Sequence, residues 1–520
     1  MTVVSGEPPV LEKKKGRADL TNPTEPEDDE PSLYNEDLRK KTRSSILWTV
    51  VRIASDQMFS FIVFVILARL LSPREVGVFA IAVAFSEAGR VIAIQGMVQN
   101  IPRAKKLTPA LADTVFWTNL AMSVIVALVV LALAPLIMDL IDQPDSAAPL
   151  QALGFVLPIA ALGATHLSLR LREFGHKSLA LRSVMSGTIG GAAAIAAAFA
   201  GWGIWSLVVQ RFVTESVNAA MSWHAYRWIP GRNFSMAQLR TIWSFGFNIA
   251  LTQLIGLMPR RAMDLVLGTI IGPAAVGIYR TAVRTTELVS SGTIAPYTTV
   301  ALQTLSRLQT DTKEMAKAYR WMVSRSAMLT IPAMVGFGVL ARDAVPAIYG
   351  EKWAEAGQVA QTFACLAVSY SISSFASPLL MALGRGSTLR TLVFGQVIAT
   401  VVVAALSAPF GVLVVAWTSV IRGYMALPFT MWMLKRASGI TPLDSLSAIA
   451  KPLSASLIMG VAVWCLMEII RPYFSHVLVP VFICVGAGML IYAVAILAIS
   501  SEARKLVRSQ LKTVRARLKK

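Results

Sequence analysis

The chain is short of charge: 15% of its 520 residues are Asp, Glu, Lys or Arg, where ordinary soluble domains carry about a quarter. That scarcity excludes a water-soluble enzyme. Cysteine is scarcer still, with 3 in the chain, and Cys365, Cys465 and Cys484 lie far apart in apolar runs without metal-ligand spacing. A disulfide framework and a zinc site are both excluded, and neither a metal nor a cofactor is expected. Acidic residues number 29 against 49 Lys and Arg, a net charge of +20.

What the chain has is apolar length. Hydrophobic residues make up 55% and the mean hydropathy is +0.60. A helix needs about 20 residues to cross hydrocarbon, so the stretch between the polar ends has room for about fourteen spans. The apolar segments fall near 45–71, 76–100, 112–137, 150–169, 183–200, 203–224, 241–271, 275–304, 321–345, 355–383, 391–408, 412–434, 452–470 and 477–499. The expected fold is an all-α integral membrane protein.

The excess of basic residues tests the orientation. An even number of crossings puts both termini on one side, and cytoplasmic loops collect Lys and Arg. With the N terminus inside, the loops assigned to the cytoplasm hold Arg103, Lys105, Lys106, Arg170, Arg172, Lys177, Arg227, Arg232, Arg240, Arg307, Lys313, Arg385, Arg390, Lys435 and Arg436. The opposite loops offer Arg74, Lys352 and Arg471. Topology thus accounts for most of the positive charge, and a nucleic-acid partner is not expected. Residues 1–44 are polar, and no apolar run follows Lys13, Lys14 and Lys15, so this segment reads as a disordered cytoplasmic tail rather than a secretory signal. Residues 501–520 form a second basic cytoplasmic tail.

Internal repetition comes next. Residues 67–90, LARLLSPREVGVFAIAVAFSEAGR, align without gaps to 267–290, LGTIIGPAAVGIYRTAVRTTELVS, and share Leu67/Leu267, Pro73/Pro273, Val76/Val276, Gly77/Gly277, Ala82/Ala282, Val83/Val283 and Glu87/Glu287. An ordered Pro-x-x-Val-Gly turn followed by a Glu at membrane depth points to duplication. The intervening helices are even in number, so the copies insert in the same orientation about an axis along the membrane normal. The expectation is two pseudo-symmetric lobes of about six helices each, 45–228 and 229–436, around a central cavity, plus two further helices in 437–500.

These residues resemble a known family. The Leu-(Leu/Ile)-(Ser/Gly)-Pro-x-x-Val-Gly turn, the Arg-x-x-Asp-x-x-x-Gly segment from Arg261 to Gly268, the number of spans and the basic tail are similar to the polysaccharide transporters of the MOP exporter superfamily, the Wzx-type flippases. The likeness covers about residues 45–500. It implies alternating access that moves an undecaprenyl-pyrophosphate-linked oligosaccharide from the cytoplasmic to the outer leaflet of the bacterial inner membrane. The product would be exopolysaccharide, capsule or lipopolysaccharide O-antigen, with polymerase or export machinery as partners.

Charged side chains inside a bilayer cost about 2.5–3.5 kcal/mol on insertion scales, so those retained face a partner or a watery cavity. Here they are Arg52 and Asp56 on the first span, Glu87 and Arg90 on the second, Arg260, Arg261 and Asp264 on the seventh, and Arg280, Arg284 and Glu287 on the eighth. At 100° per residue the last three fall within about a 60° arc, a single stripe. Arginine pairs with diphosphate oxygens through bidentate, charge-assisted bonds, so Arg280, Arg284, Arg261, Arg260, Arg90 and Arg52 are the candidate substrate residues. Asp264, Glu287, Glu87 and Asp56 are candidates for ion coupling or charge balance. Asn248, Thr252, Gln253, Tyr279 and Tyr297 could meet the sugars.

Blander readings stand beside these. Arg52–Asp56 and Glu87–Arg90 are spaced as intrahelical ion pairs. Arg69, near a helix end, is expected to snorkel, and His166 to pack. Gly187, Gly190 and Gly191 read as close helix packing. Gly256 and Pro259 could bend the seventh span. Two other transporters fit the fold, a lipid II flippase and a cation-coupled drug antiporter of the MATE type. The antiporter would favour an acidic cavity over this basic one. A glycosyltransferase or polymerase needs catalytic groups on sizeable loops, and these loops are short.

Overall fold

The computed structural model describes residues 57–104, 106–173, 176–500 and 504. Arg52, Asp56 and most of both tails lie outside them. Helices dominate, and the described residues include no strand. The rods are α1 (Gln57–Leu70), α2 (Pro73–Arg103), α3 (Pro109–Leu140), α4 (Ala147–Arg172), α5 (His176–Phe199), α6 (Trp205–Ala225), α7 (Met236–Ile270), α8 (Pro273–Arg307), α9 (Thr312–Tyr349), a broken α10 (Ala354–Ala364, Ala367–Ser373, Ala376–Ala382), α11 (Gly386–Ser407), α12 (Val412–Ser438), α13 (Pro442–Ile470) and α14 (Leu478–Ile499). Ten described helices are long and apolar enough to span a membrane, eleven when the bent α10 counts as one. The chain is a multi-pass membrane protein. Among the rods outside that set, α6 and α8 carry Arg211, Glu215, Arg280, Arg284 and Glu287, the charges that make them less apolar.

Helix starts are written in the sequence. Ser72 caps α2 through a capping box with Glu75, with Pro73 in the first turn, and Thr441 does the same for α13 with Asp444 and Pro442. Both boxes satisfy backbone N–H groups that a helix leaves orphaned. The duplicated turn before α8 solves the problem differently, placing Gly272 at φ 114° ahead of Pro273, a conformation that favours glycine.

The two copies of that turn meet. A Cβ built on Gly77 would lie 1.6 Å from the Pro273 carbonyl oxygen, and one on Gly277 would lie 2.0 Å from that of Pro73. Equivalent residues therefore contact each other reciprocally, the arrangement that a two-fold axis between α2 and α8 produces. Around this crossing Ile81, Leu267 and Val276 are fully buried in one apolar cluster with Ala80, Met263 and Val415.

Three irregularities escape the sequence pattern. In α2, Val91–Gln95 is a π-helical turn directly after Arg90. The 355–383 segment, which reads as one span, bends by 54° between Ala364 and Ala367. By contrast α7 runs on as one α-helix with Pro259 inside it, so no break falls at Gly256–Pro259.

Candidate functional site

The charged residues of α2, α6, α7 and α8 converge. With 1.5 Å of rise per residue, Glu215, Arg260 and Arg284 each lie about 15–17 Å along their helices from the ends nearest the Gly77–Gly277 crossing, around the midpoint of a ~30 Å hydrocarbon layer. Asp264 is 2% exposed. It accepts from Arg280 Nε at 2.8 Å and from Arg280 Nη2 in a bidentate pair, and lies 3.4 Å from Arg261 Nη1. Arg261 also pairs with Glu87 across to α2. Arg260 reaches Glu287 at 3.3 Å, with 76% of its own side chain exposed. On the other side Glu215, whose side chain is 6% exposed, holds Arg90 at 2.7 Å and Arg211 at 3.9 Å.

This network corrects one spacing argument. Glu87 and Arg90, one turn apart, do not neutralise each other: Glu87 goes to Arg261 on α7 and Arg90 to Glu215 on α6. An i,i+3 pair is worth only a few tenths of a kcal/mol, so it yields wherever a neighbouring helix offers a better-shielded partner. Glu215 and Arg211 belong to the cluster, and their i,i+4 spacing was the available signal.

The stripe on α8 is not uniformly free. Arg280 is tied to Asp264 and Glu287 to Arg260, whereas Arg284 has no ion pair among the described residues. Its Nη2 donates to Ser60 O at 2.8 Å and Ser60 Oγ at 2.6 Å on α1, and its guanidinium sits 4.2 Å from the Phe64 ring centroid. Arg90, Arg211, Arg260, Arg261, Arg280 and Arg284 thus face the carboxylates Glu87, Glu215, Asp264 and Glu287. Among the described residues, positive charge is in surplus.

Along α7, Asn248, Thr252 and Gln253 are exposed, with Asn248 and Thr252 bonding to carbonyls of their own helix. Tyr279 instead packs edge-on to Phe363 at 5.4 Å, and Tyr297 lies 6.5 Å from Trp321. Arg69 lies exposed near the end of α1. It donates to the Ile348 and Ala347 carbonyls, both at 2.7 Å, capping the end of α9. Lys352 Nζ and Trp353 Nε1 return the favour to the Arg69 and Ala68 carbonyls at the end of α1, each at 2.8 Å. Such ends leave carbonyls without helical partners. His166 is fully buried, stacked on Trp223 at 4.3 Å, with Nε2 at 2.9 Å from the Trp228 carbonyl. A Cβ on Gly190 would strike Thr214 and one on Gly191 would strike Val63, whereas Gly187 faces open space.

The fold and the arginine-rich cluster define a helical multi-pass membrane protein with charge gathered at mid-depth, and comparison with known proteins makes the assignment specific. A family model described as polysaccharide biosynthesis protein matches residues 66–358, more than half of the chain, and the chain belongs to that family. It is 26% identical to the succinoglycan biosynthesis transport protein ExoT of Rhizobium meliloti over 483 residues, covering 92% of this chain and 96% of that one. To the lipopolysaccharide biosynthesis protein WzxC of Escherichia coli it is 22% identical over 354 residues, 67% of this chain and 71% of the other. Among solved structures, the lipid II flippase MurJ in an inward closed conformation superposes with a TM-score of 0.70 at 14% identity, covering 89% of this chain and all of that one. An inward-facing MATE multidrug transporter gives 0.56 at 17% identity, over 75% and 98%. The fold is the MurJ and MATE fold.

Proposed function

We propose that the protein is a flippase that carries an undecaprenyl-pyrophosphate-linked oligosaccharide across the bacterial inner membrane by alternating access, for exopolysaccharide, capsule or O-antigen assembly. Its lobes are residues 45–228 and 229–436, with 437–500 appended and both termini in the cytoplasm. The observation that carries this reading is Arg284, a guanidinium at mid-depth held by a serine and an aromatic ring rather than a carboxylate. Among the described residues no carboxylate pairs with it, and a diphosphate would supply a counter-charge through paired hydrogen bonds. Arg260, Arg261, Arg280 and Arg90 form the surrounding cationic wall, and Asp264, Glu287 and Glu87 hold it in place or couple an ion; Arg52 and Asp56, outside the described residues, are further candidates for the same two roles. The relatives named for succinoglycan transport and lipopolysaccharide biosynthesis support the glycan. Polymerase and export machinery are the partners that would receive it.

The test is polymer export from cells whose own gene is deleted and replaced by variants. Arg284→Gln is expected to abolish export with normal protein levels, and Arg284→Lys to restore part of it, since the ammonium keeps the charge without the fork. Normal export by Arg284→Gln would overturn the reading. The TM-score of 0.70 to MurJ favours a second reading, lipid II transport, and the lipid-linked intermediate that accumulates in the deletion strain separates the two.

A further inference from the structure

A second guanidinium stands at the same depth outside this network. Arg422 lies about 15 Å along α12 from Val412, level with Arg284 on α8. Among the described residues it makes no ion pair, and its buried Nε has no hydrogen-bond partner. Native proteins satisfy more than nine in ten buried polar groups, and one left bare calls for a water, an ion or a ligand. A cation at this depth is costlier still without a counter-charge.

The kink of α10 falls against this turn of α12: Tyr424 Oη donates to the Cys365 carbonyl at 2.6 Å, Ser369 Oγ donates to the Gly423 carbonyl at 3.2 Å, and a Cβ on Gly423 would lie 2.7 Å from Leu366. Helices broken within a membrane keep their freed backbone where it is buried in protein or lines a cavity. Tyr279 on α8 and Tyr370 on α10 stand near enough to the Arg422 guanidinium to feel its charge, and Tyr370 is likewise near Arg260 and Glu287. The place is thus contiguous with the arginine cluster. A guanidinium donates only, and phenols donate readily, so the group that completes the set is an acceptor bearing negative charge.

We infer that Arg422, with Tyr279 and Tyr370, forms a second anion subsite that takes a phosphate or carboxylate of the transported lipid-linked saccharide. The inference rests on the reading of the chain as an exporter of such a molecule. Two sources can supply the anion, the diphosphate of the lipid carrier or an acidic sugar, and the experiment separates them.

Full-length protein in nanodiscs is titrated with farnesyl diphosphate, with a polyprenyl-diphosphate-linked neutral trisaccharide, and with the same molecule carrying one uronate. Arg422→Gln is expected to weaken binding at least ten-fold. Loss with farnesyl diphosphate assigns the phosphate, and loss confined to the extra affinity conferred by the uronate assigns the carboxylate. Tyr370→Phe keeps the ring and removes one donor; it is expected to weaken the same probe at least three-fold, and it decides the matter if Arg422→Gln does not fold. Binding within two-fold of the parent for all three probes, by Arg422→Gln in a folded protein or else by Tyr370→Phe, overturns the inference. Arg284→Gln run alongside keeps the two claims apart. If it binds farnesyl diphosphate normally while Arg422→Gln does not, the Arg284 reading fails and this one stands; the reverse outcome, with Arg422→Gln also unchanged on both saccharide probes, sinks this one alone.

Discussion

The reciprocal contact of Gly77 and Gly277 makes a prediction about non-additivity. Adding a methyl at either position places a carbon 1.6 Å or 2.0 Å from a carbonyl oxygen of the other helix. Real contacts need about 3.3 Å, so α2 and α8 must part by more than 1 Å at the crossing, and the obstacle is backbone that cannot rotate away. Overpacking a close-packed site costs about 1–3 kcal/mol, and a rigid obstacle belongs at the upper end, so Gly77→Ala and Gly277→Ala should each destabilise by about 2–3 kcal/mol. Once one methyl has separated the helices, the second meets relieved space. The double substitution should therefore cost less than the two singles together, by at least 1 kcal/mol, the behaviour of residues that share one gap. Reversible unfolding in mixed micelles measures all three. Additive values, or single substitutions that cost less than 0.5 kcal/mol, would refute the claim that these glycines are in mutual contact.

Further outcomes follow from the ion pairs and caps. Asp264→Asn leaves Arg280 without its bidentate partner in a largely buried site and should cost about 3–5 kcal/mol, as breaking a buried pair does; the Asp264→Asn/Arg280→Gln double should recover at least 2 kcal/mol of the summed losses, and a coupling near zero in the same unfolding assay would contradict the geometry. Trp353→Phe removes the donor to the buried Ala68 carbonyl and should cost about 1–3 kcal/mol, seen as a lower melting temperature in detergent. Glu215→Gln should lower stability while Arg90 and Arg211 lose their shared carboxylate, whereas Glu173→Gln, whose pair with Arg170 is half exposed, should change it by less than about 0.5 kcal/mol.

The sequence reveals the fold class because apolar length and basic loops are properties of composition, and it reveals the duplicated turn because Pro-x-x-Val-Gly survives in both copies. That the copies touch is a matter of three dimensions, and no spacing within one helix states it. The same holds for the site. Spacing places Arg280, Arg284 and Glu287 on one stripe, but which of them is satisfied depends on Asp264, Arg260 and Ser60, all on neighbouring helices. The bend after Ala364 carries no proline or glycine at its break, so tertiary packing rather than local propensity sets it, and the π turn at Val91–Gln95 ends on Gly96, whose partner, the Gly246 carbonyl, lies on another helix. The partners of Arg69 are equally hidden, because the carbonyls it serves, Ala347 and Ile348, lie 278 and 279 residues away.

The meeting of Gly77 with Pro273 and of Gly277 with Pro73 also binds the two halves of the gene to a common fate. After a duplication, copies are ordinarily free to diverge, yet here any side chain gained in one half presses on the main chain of its twin. Glycine at both places is a single requirement written twice, and neither half can relax it alone.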